Sequence, residues 1–209
     1  SGSGRAQRSM PFMPQRWLGD EAQALGVDIF PMTAAVDVLD GEGGAIAGIV
    51  TGDLGLGALE LALEAANKVQ LPLMTHIGPA PPTYSDVVDM LRPGDILTHC
   101  FRPAPNSAIG EDGKVLDALW RARERGVLFD IAHGMGAFGY ESTEAALRDG
   151  FKPDLISSDV HVIAIEGPGY DMLHTMSKLL NCGLSLSDVI DMSTSRPALA
   201  IGRPELGHL

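Results

Sequence analysis

Basic residues are scarce in this sequence: 15 Lys and Arg stand against 27 Asp and Glu, a formal net charge of -12. Phosphate backbones are bound by clustered Lys and Arg, so nucleic acid is not an expected partner. The same shortage argues against an anionic membrane surface. Cysteine is nearly absent. Cys100 and Cys182, the two in 209 residues, make no disulfide framework and predict reduced thiols in a cytoplasm. No run of about 18 apolar residues occurs, so no membrane span is predicted, and no secretory signal is visible. No Gly-rich phosphate loop follows a strand. No Gly-x-Ser-x-Gly elbow is present, which weakens a serine-hydrolase reading.

What is there is an ordinary globular composition, 45% hydrophobic and 20% charged, sufficient for a core. The opening Ser1-Gly2-Ser3-Gly4 reads as an expression scar or linker, and residues 5–209 as one domain. From about Gly52 the chain repeats one phrase of helix, short apolar strand and turn. Leu59, Leu61, Ala62, Leu63, Ala65, Ala66 and Val69 form an apolar helical face that Pro72 ends. Strands are predicted over 71–77, 95–100, 127–132 and 154–158, with another over 45–51. Helices are predicted over 84–91, 115–125, 142–149, 170–180 and 187–193, the first capped by Thr83 or Ser85. Residues 5–44 are less legible, with a helix start near 21–25 and a strand near 27–31.

Such alternation predicts an α/β fold with a parallel sheet. An open doubly wound sheet and a (β/α)8 barrel both fit locally. The polar residues favour the barrel, because His76, His99, His133 and Asp159 each sit at the C-terminal end of a predicted strand. A complete barrel typically needs about 250 residues. The expectation is therefore an incomplete barrel, with the first units absent or unreadable.

Leu71–Gly78 and Gly94–Phe101 both carry Thr-His at a strand end. Adjacent parallel strands lie about 4.8 Å apart, so two such imidazoles can share a metal ion. Asp159 adds a carboxylate that can bind metal and accept a proton from activated water. A single strand-end histidine is more often a hydrogen-bonded structural residue; it is the pair with an aspartate that points to a ligand set. His133, between glycines in Ala132-His133-Gly134, reads either as facing substrate or as an incidental loop histidine. His161 reads as a substrate contact, as a group that orients Asp159, or as an exposed loop residue. His174, His208 and both cysteines read as structural or solvated.

Four stretches carry a resemblance: Pro72-Leu73-Met74-Thr75-His76-Ile77-Gly78, Leu91-Arg92-Pro93-Gly94-Asp95-Ile96-Leu97-Thr98-His99-Cys100-Phe101, Gly126-Val127-Leu128-Phe129-Asp130-Ile131-Ala132-His133-Gly134, and Ile156-Ser157-Ser158-Asp159-Val160-His161. From about Ile46 to Leu209 the chain resembles the amidohydrolase superfamily, in particular its dihydroorotase-like deacetylases. The resemblance implies a (β/α)8 barrel with strands four to eight recognisable and one or two divalent metals, usually zinc. It implies that His76 and His99 bind metal, that Asp159 binds metal and shuttles the proton, and that His133 lies near a small-molecule substrate. The implied reaction is water attack on an amide, ester or cyclic amide.

Two departures stand out. The family's His-x-His pair is missing, since none of the six histidines is spaced by two. The family's bridging lysine is also missing: Gly48-Ile49 runs through Val50-Thr51 into Gly52-Asp53-Leu54-Gly55, so the segment reads as deleted rather than replaced. One metal is then expected rather than two. The rival expectation is a non-catalytic truncated barrel that folds through oligomerisation or a partner. The exposed edges of an incomplete barrel predict a homo-oligomer in either case. A related metal-dependent phosphodiesterase or nuclease barrel is disfavoured by the acidity.

Overall fold

The computed structural model describes residues 55–207. The expectations for residues 1–54, including the early strands and the lysine segment, lie outside the described residues, as does His208. Helix α1 (Leu56–Val69) leads to β1 (Met74–Thr75), α2 (Tyr84–Met90), β2 (Ile96–Leu97), α3 (Asp117–Glu124), β3 (Leu128–Phe129) and α4 (Tyr140–Arg148). Three helices follow: α5 (Met172–Asn181), α6 (Leu186–Ser193) and α7 (Ser195–Ala200). A single 3-10 turn, Pro204–Gly207, comes last.

The strands pair in parallel and in chain order, β1 to β2 to β3. Residues 154–158 continue the sheet beside β3, through a parallel bridge between Asp130 and Leu155. The amides of His133 and Gly134 also donate to the carbonyls of Ser157 and Ser158. Consecutive parallel neighbours joined by helices are the β/α alternation expected from the sequence.

The ladders are shorter than the apolar runs predict, two residues in each strand. Proline stands before two of them, at Pro72 and Pro93. Past the ladder, His99 and Ala132 take positive φ angles of 59° and 38°, which turn the chain out of the extended form. Helices α1 to α6 agree closely with expectation, whereas α7 has no counterpart in the sequence reading. Thr83 is the cap of α2: its hydroxyl accepts from the Asp86 amide, and Asp86 accepts from the Thr83 amide in return. Helices α3 and α4 end just before Gly126 and Gly150.

One face of the sheet builds the core. Leu73, Ile77, Leu97, Phe129 and Ile131 are buried there with Leu59, Ala62 and Ala66 of α1 and Val87 and Val88 of α2. Phe151 plugs the layer edge-on to Trp120 and Phe129, with ring centroids 4.9 and 5.0 Å away. The Arg123 guanidinium covers its remaining face at 3.7 Å. Such aromatic pairs contribute about 0.5–1.5 kcal/mol each beyond the area they bury.

The starts of the strands are strapped together by carboxylates. Asp95 accepts from the Leu73 amide at 2.7 Å, from the Arg92 amide at 2.7 Å, and from the Arg92 guanidinium. Asp154 repeats the device two strands later, accepting from the Phe129 amide at 2.9 Å and from Arg123 at 3.1 Å. The run Arg92-Pro93-Gly94-Asp95 therefore works at the end of the sheet opposite the histidines.

Candidate active site

Continuing the β1–β2 register puts His76 level with Thr98, and His99 one residue further along. Strand alternation alone would point the two histidines to opposite faces. The left-handed turn at His99 resolves this by swinging its ring back toward His76. The two rings meet edge-on, centroids 4.6 Å apart and planes at 87°. A non-glycine residue with positive φ carries strain that its surroundings must hold in place. Here the His99 carbonyl accepts from the buried Tyr84 hydroxyl at 2.7 Å and from the Arg102 amide at 3.2 Å.

The His99 ring is equally fixed. Nδ1 lies 2.6 Å from the Ala132 carbonyl. A carbonyl only accepts, so Nδ1 carries the proton and Nε2 keeps its lone pair. Burial, then the neighbouring His76, holds the imidazole below its ordinary pKa and so neutral. Nε2 faces the Asp159 carboxylate, with Oδ2 at 3.9 Å. Asp159, half exposed, takes a φ of 45°, and Gly134 makes room for it: a Cβ at Gly134 would stand 2.6 Å from Asp159 Oδ2. The loops behind the histidines are tied as well. Arg102 donates to the Ile77 carbonyl at 2.8 Å, and Asn106 donates to the Gly78 carbonyl at 2.8 Å.

His76, His99 and Asp159 thus gather at one end of the sheet. His133 is buried beside them, with both nitrogens engaged: Nδ1 is 2.8 Å from the Gly134 carbonyl and Nε2 accepts from Lys178 Nζ at 2.8 Å. Its ring stacks on Phe138 at 4.8 Å. Burial, with a smaller push from Lys178, lowers its pKa. His161 is exposed two residues past Asp159, and its side chain makes no hydrogen bond or ion pair among the described residues. Sequence reasoning missed Tyr84, Arg102, Asp130 and Lys178. Asp130 alone left a signal, a carboxylate inside the apolar run 127–132.

The donor chemistry suits a divalent metal: an imidazole with its lone pair free, a carboxylate beside it and a second imidazole in contact. Among the described residues, however, no three His, Cys, Asp or Glu side chains form a closed group able to hold a metal ion. Both cysteines are free: Cys100 lies in the core with its thiol pKa raised well above normal by burial, and burial raises the half-buried Cys182 to about 11. No described helix is long and apolar enough to cross a membrane.

No family model matches the chain. A curated deacetylase of Enterococcus faecalis is 40% identical over 152 residues, 71% of this chain and 41% of that protein. Among solved structures, an adenine deaminase superposes with a TM-score of 0.72 at 37% identity, and a dihydroorotase with 0.67 at 32%. Each covers 77% of this chain, which in turn covers 45% of each of those chains. The chain therefore spans less than half the length of the relatives it matches. A separate similarity is confined to 41 residues, 20% of the chain, where an electron transfer flavoprotein-ubiquinone oxidoreductase of Pseudomonas aeruginosa is 54% identical.

Proposed function

Because this chain belongs to the amidohydrolase superfamily, on the side of its deacetylases, we propose that it is a metal-dependent hydrolase of a small acylated substrate. The bond cleaved is an amide, ester or cyclic amide. The described strands are then part of a (β/α)8 barrel whose site lies at their C-terminal ends. His76, His99 and Asp159 would hold the metal, zinc by donor type. A divalent metal in such a site polarises a carbonyl and acidifies water.

The protein's own groups supply the rest. The Ala132 carbonyl fixes the His99 tautomer, so the ring presents Nε2 without rearrangement. Asp159 Oδ2, half exposed, takes the proton released by the attacking water and returns it to the leaving group. Lys178 and Phe138 hold His133 immobile behind Gly134, which keeps the Asp159 carboxylate in its place. Two free thiols support a reducing, cytoplasmic setting.

The observation that carries this reading is the approach of His99 Nε2 to Asp159 Oδ2, with the His76 ring against His99. Elemental analysis of the purified protein tests it, with His99→Ala alongside. About one zinc per chain, lost in the variant, and release of acetate from an acylated substrate panel are expected. Equal metal content in both proteins sinks it.

A second reading, a non-catalytic barrel that folds through oligomerisation, is favoured by the exposed Val162, Ile163, Ile165 and Leu173. Zinc-free protein that sediments as an oligomer would establish it.

A further inference from the structure

The chain has four lysines, and Lys178 differs from the other three. Lys68 pairs with Glu64 at 2.7 Å and Lys152 with Asp188 at 2.9 Å. Lys114 is exposed, and its amine makes no hydrogen bond or ion pair among the described residues. Lys178 is half-buried and meets no carboxylate among the described residues. Its Nζ lies 2.8 Å from His133 Nε2 and also donates to the Pro168 carbonyl. The Phe138 ring, stacked on His133, is centred 6.0 Å from the amine. On α5 itself, His174 one turn back is tied to Asp171 at 2.9 Å, and Cys182 stands one turn on. Glu166, in the segment that carries Pro168, forms no ion pair with Lys178. The partner of this lysine is thus a base. His133 Nδ1 faces the Gly134 carbonyl and carries the proton, so Nε2 presents its lone pair to the amine. Burial, uncompensated by a carboxylate, lowers the Lys178 pKa.

We propose that Lys178 is a nucleophilic lysine, a modification site acylated by a small activated acyl donor of the acyl phosphate class, with His133 as its proton acceptor. An ordinary lysine, of pKa about 10.4, is less than about 0.1% free amine at neutral pH. A desolvated lysine beside a base is the arrangement that raises this fraction. In the step, the free amine attacks the acyl carbon and an N–C bond forms. The bond from that carbon to the phosphate oxygen breaks, and phosphate leaves with the electron pair. The proton shed by nitrogen passes to His133 Nε2 and then to solvent. The product amide is neutral and keeps one N–H where the ammonium had three. It cannot hold both His133 and the Pro168 carbonyl, so acylation unties the segment 161–171 from the end of β3. None of this requires a metal or the hydrolase reaction.

Competitive acetylation of the full chain tests this, with acetyl phosphate as the probe, reagent limited to single modification, and peptide mass spectrometry as the readout. At neutral pH Lys178 should be labelled at least about tenfold faster than the exposed Lys114. The pH profile of its labelling should bend at lower pH than that of Lys114. His133→Gln keeps a planar polar side chain but no base, and should slow Lys178 about tenfold or more while leaving Lys114 unchanged. In the acetylated fraction, amide hydrogen exchange over 161–171 should quicken. Equal rates at Lys178 and Lys114 in the native chain overturn the proposal, as does a Lys178 rate unchanged in His133→Gln. Should that variant not fold, a Lys178 pH profile that superimposes on that of Lys114 overturns it instead.

Discussion

The Tyr84 hydroxyl donates to the backbone carbonyl of His99 at 2.7 Å, so a side chain at the start of α2 holds the turned main chain of the best-placed donor in the site. Tyr84→Phe keeps the ring packing and removes this bond. Stability should fall by about 1–2 kcal/mol, as for a buried acceptor that loses one of its donors. Zinc affinity should weaken about tenfold or more, the usual effect of losing a group that orients a ligand. Chemical denaturation and a competitive zinc titration measure the two separately. Unchanged affinity would mean that the Arg102 amide suffices.

Gly134 and Gly136 flank the same histidine sequence but stand in different surroundings. An added Cβ meets Asp159 Oδ2 at 2.6 Å at Gly134, where φ is 55°, and meets nothing within 4 Å at Gly136. Gly134→Ala should cost about 1–3 kcal/mol and displace the Asp159 carboxylate, lowering hydrolysis at least tenfold. Gly136→Ala should change stability by no more than about 0.5 kcal/mol. Equal behaviour of the two variants would contradict the packing described here.

Lys178 joins two segments, donating to His133 Nε2 and to the Pro168 carbonyl. Lys178→Met should release residues 161–171 from the end of β3. Amide hydrogen exchange there should quicken, and Tm should fall by about 2–4 °C. Exchange unchanged in that segment would place its restraint elsewhere.

Asp130 gives a pH dependence of definite sign. Burial raises its folded pKa to about 6, with partial relief from Ser157 and neighbouring amides. The folded state therefore holds this proton more tightly than the unfolded chain. The group stabilises below its unfolded pKa, and that contribution is lost as pH rises from about 4 through 6. Asp130→Asn should gain relative to the native chain by up to about 3 kcal/mol between pH 4 and pH 7. Urea denaturation at the two pH values measures this difference, and a constant difference would count against a charged, uncompensated Asp130.

Asp95 separates the structural end of the sheet from the chemical end. Asp95→Ala strands the Leu73 amide and the Arg92 guanidinium and should cost about 3–5 kcal/mol. Zinc bound per folded chain should not change, because the carboxylate lies at the other end of the strand. Metal loss in the folded fraction would show that the two ends are coupled.

The helices were legible because their punctuation is local: Thr83 with Asp86, Pro72 after α1, and Gly126 and Gly150 after α3 and α4. Thr-His at two strand ends singled out His76 and His99, whose rings meet in the structure. Strand lengths were overestimated, since hydropathy does not encode the positive φ angles at His99 and Ala132. The supports of the site were invisible for a different reason. Tyr84 reaches His99 across 15 residues and Lys178 reaches His133 across 45, and no periodic pattern records such pairings. Asp95 was read as part of a motif, but its role at the strand starts emerged only from its hydrogen bonds. Motifs of one barrel family also gave no sign of the 41-residue similarity to a flavoprotein oxidoreductase.

The carboxylate straps at Asp95 and Asp154 have a consequence for how such a protein can diversify. They anchor the strand starts at the end of the sheet away from the histidines, so they act as a fixed foundation. Segments at the far ends can then be exchanged, lengthened or retuned without renegotiating how neighbouring strands find each other. Inheritance can vary the chemistry and conserve the scaffold because the two are written at opposite ends of the same few residues.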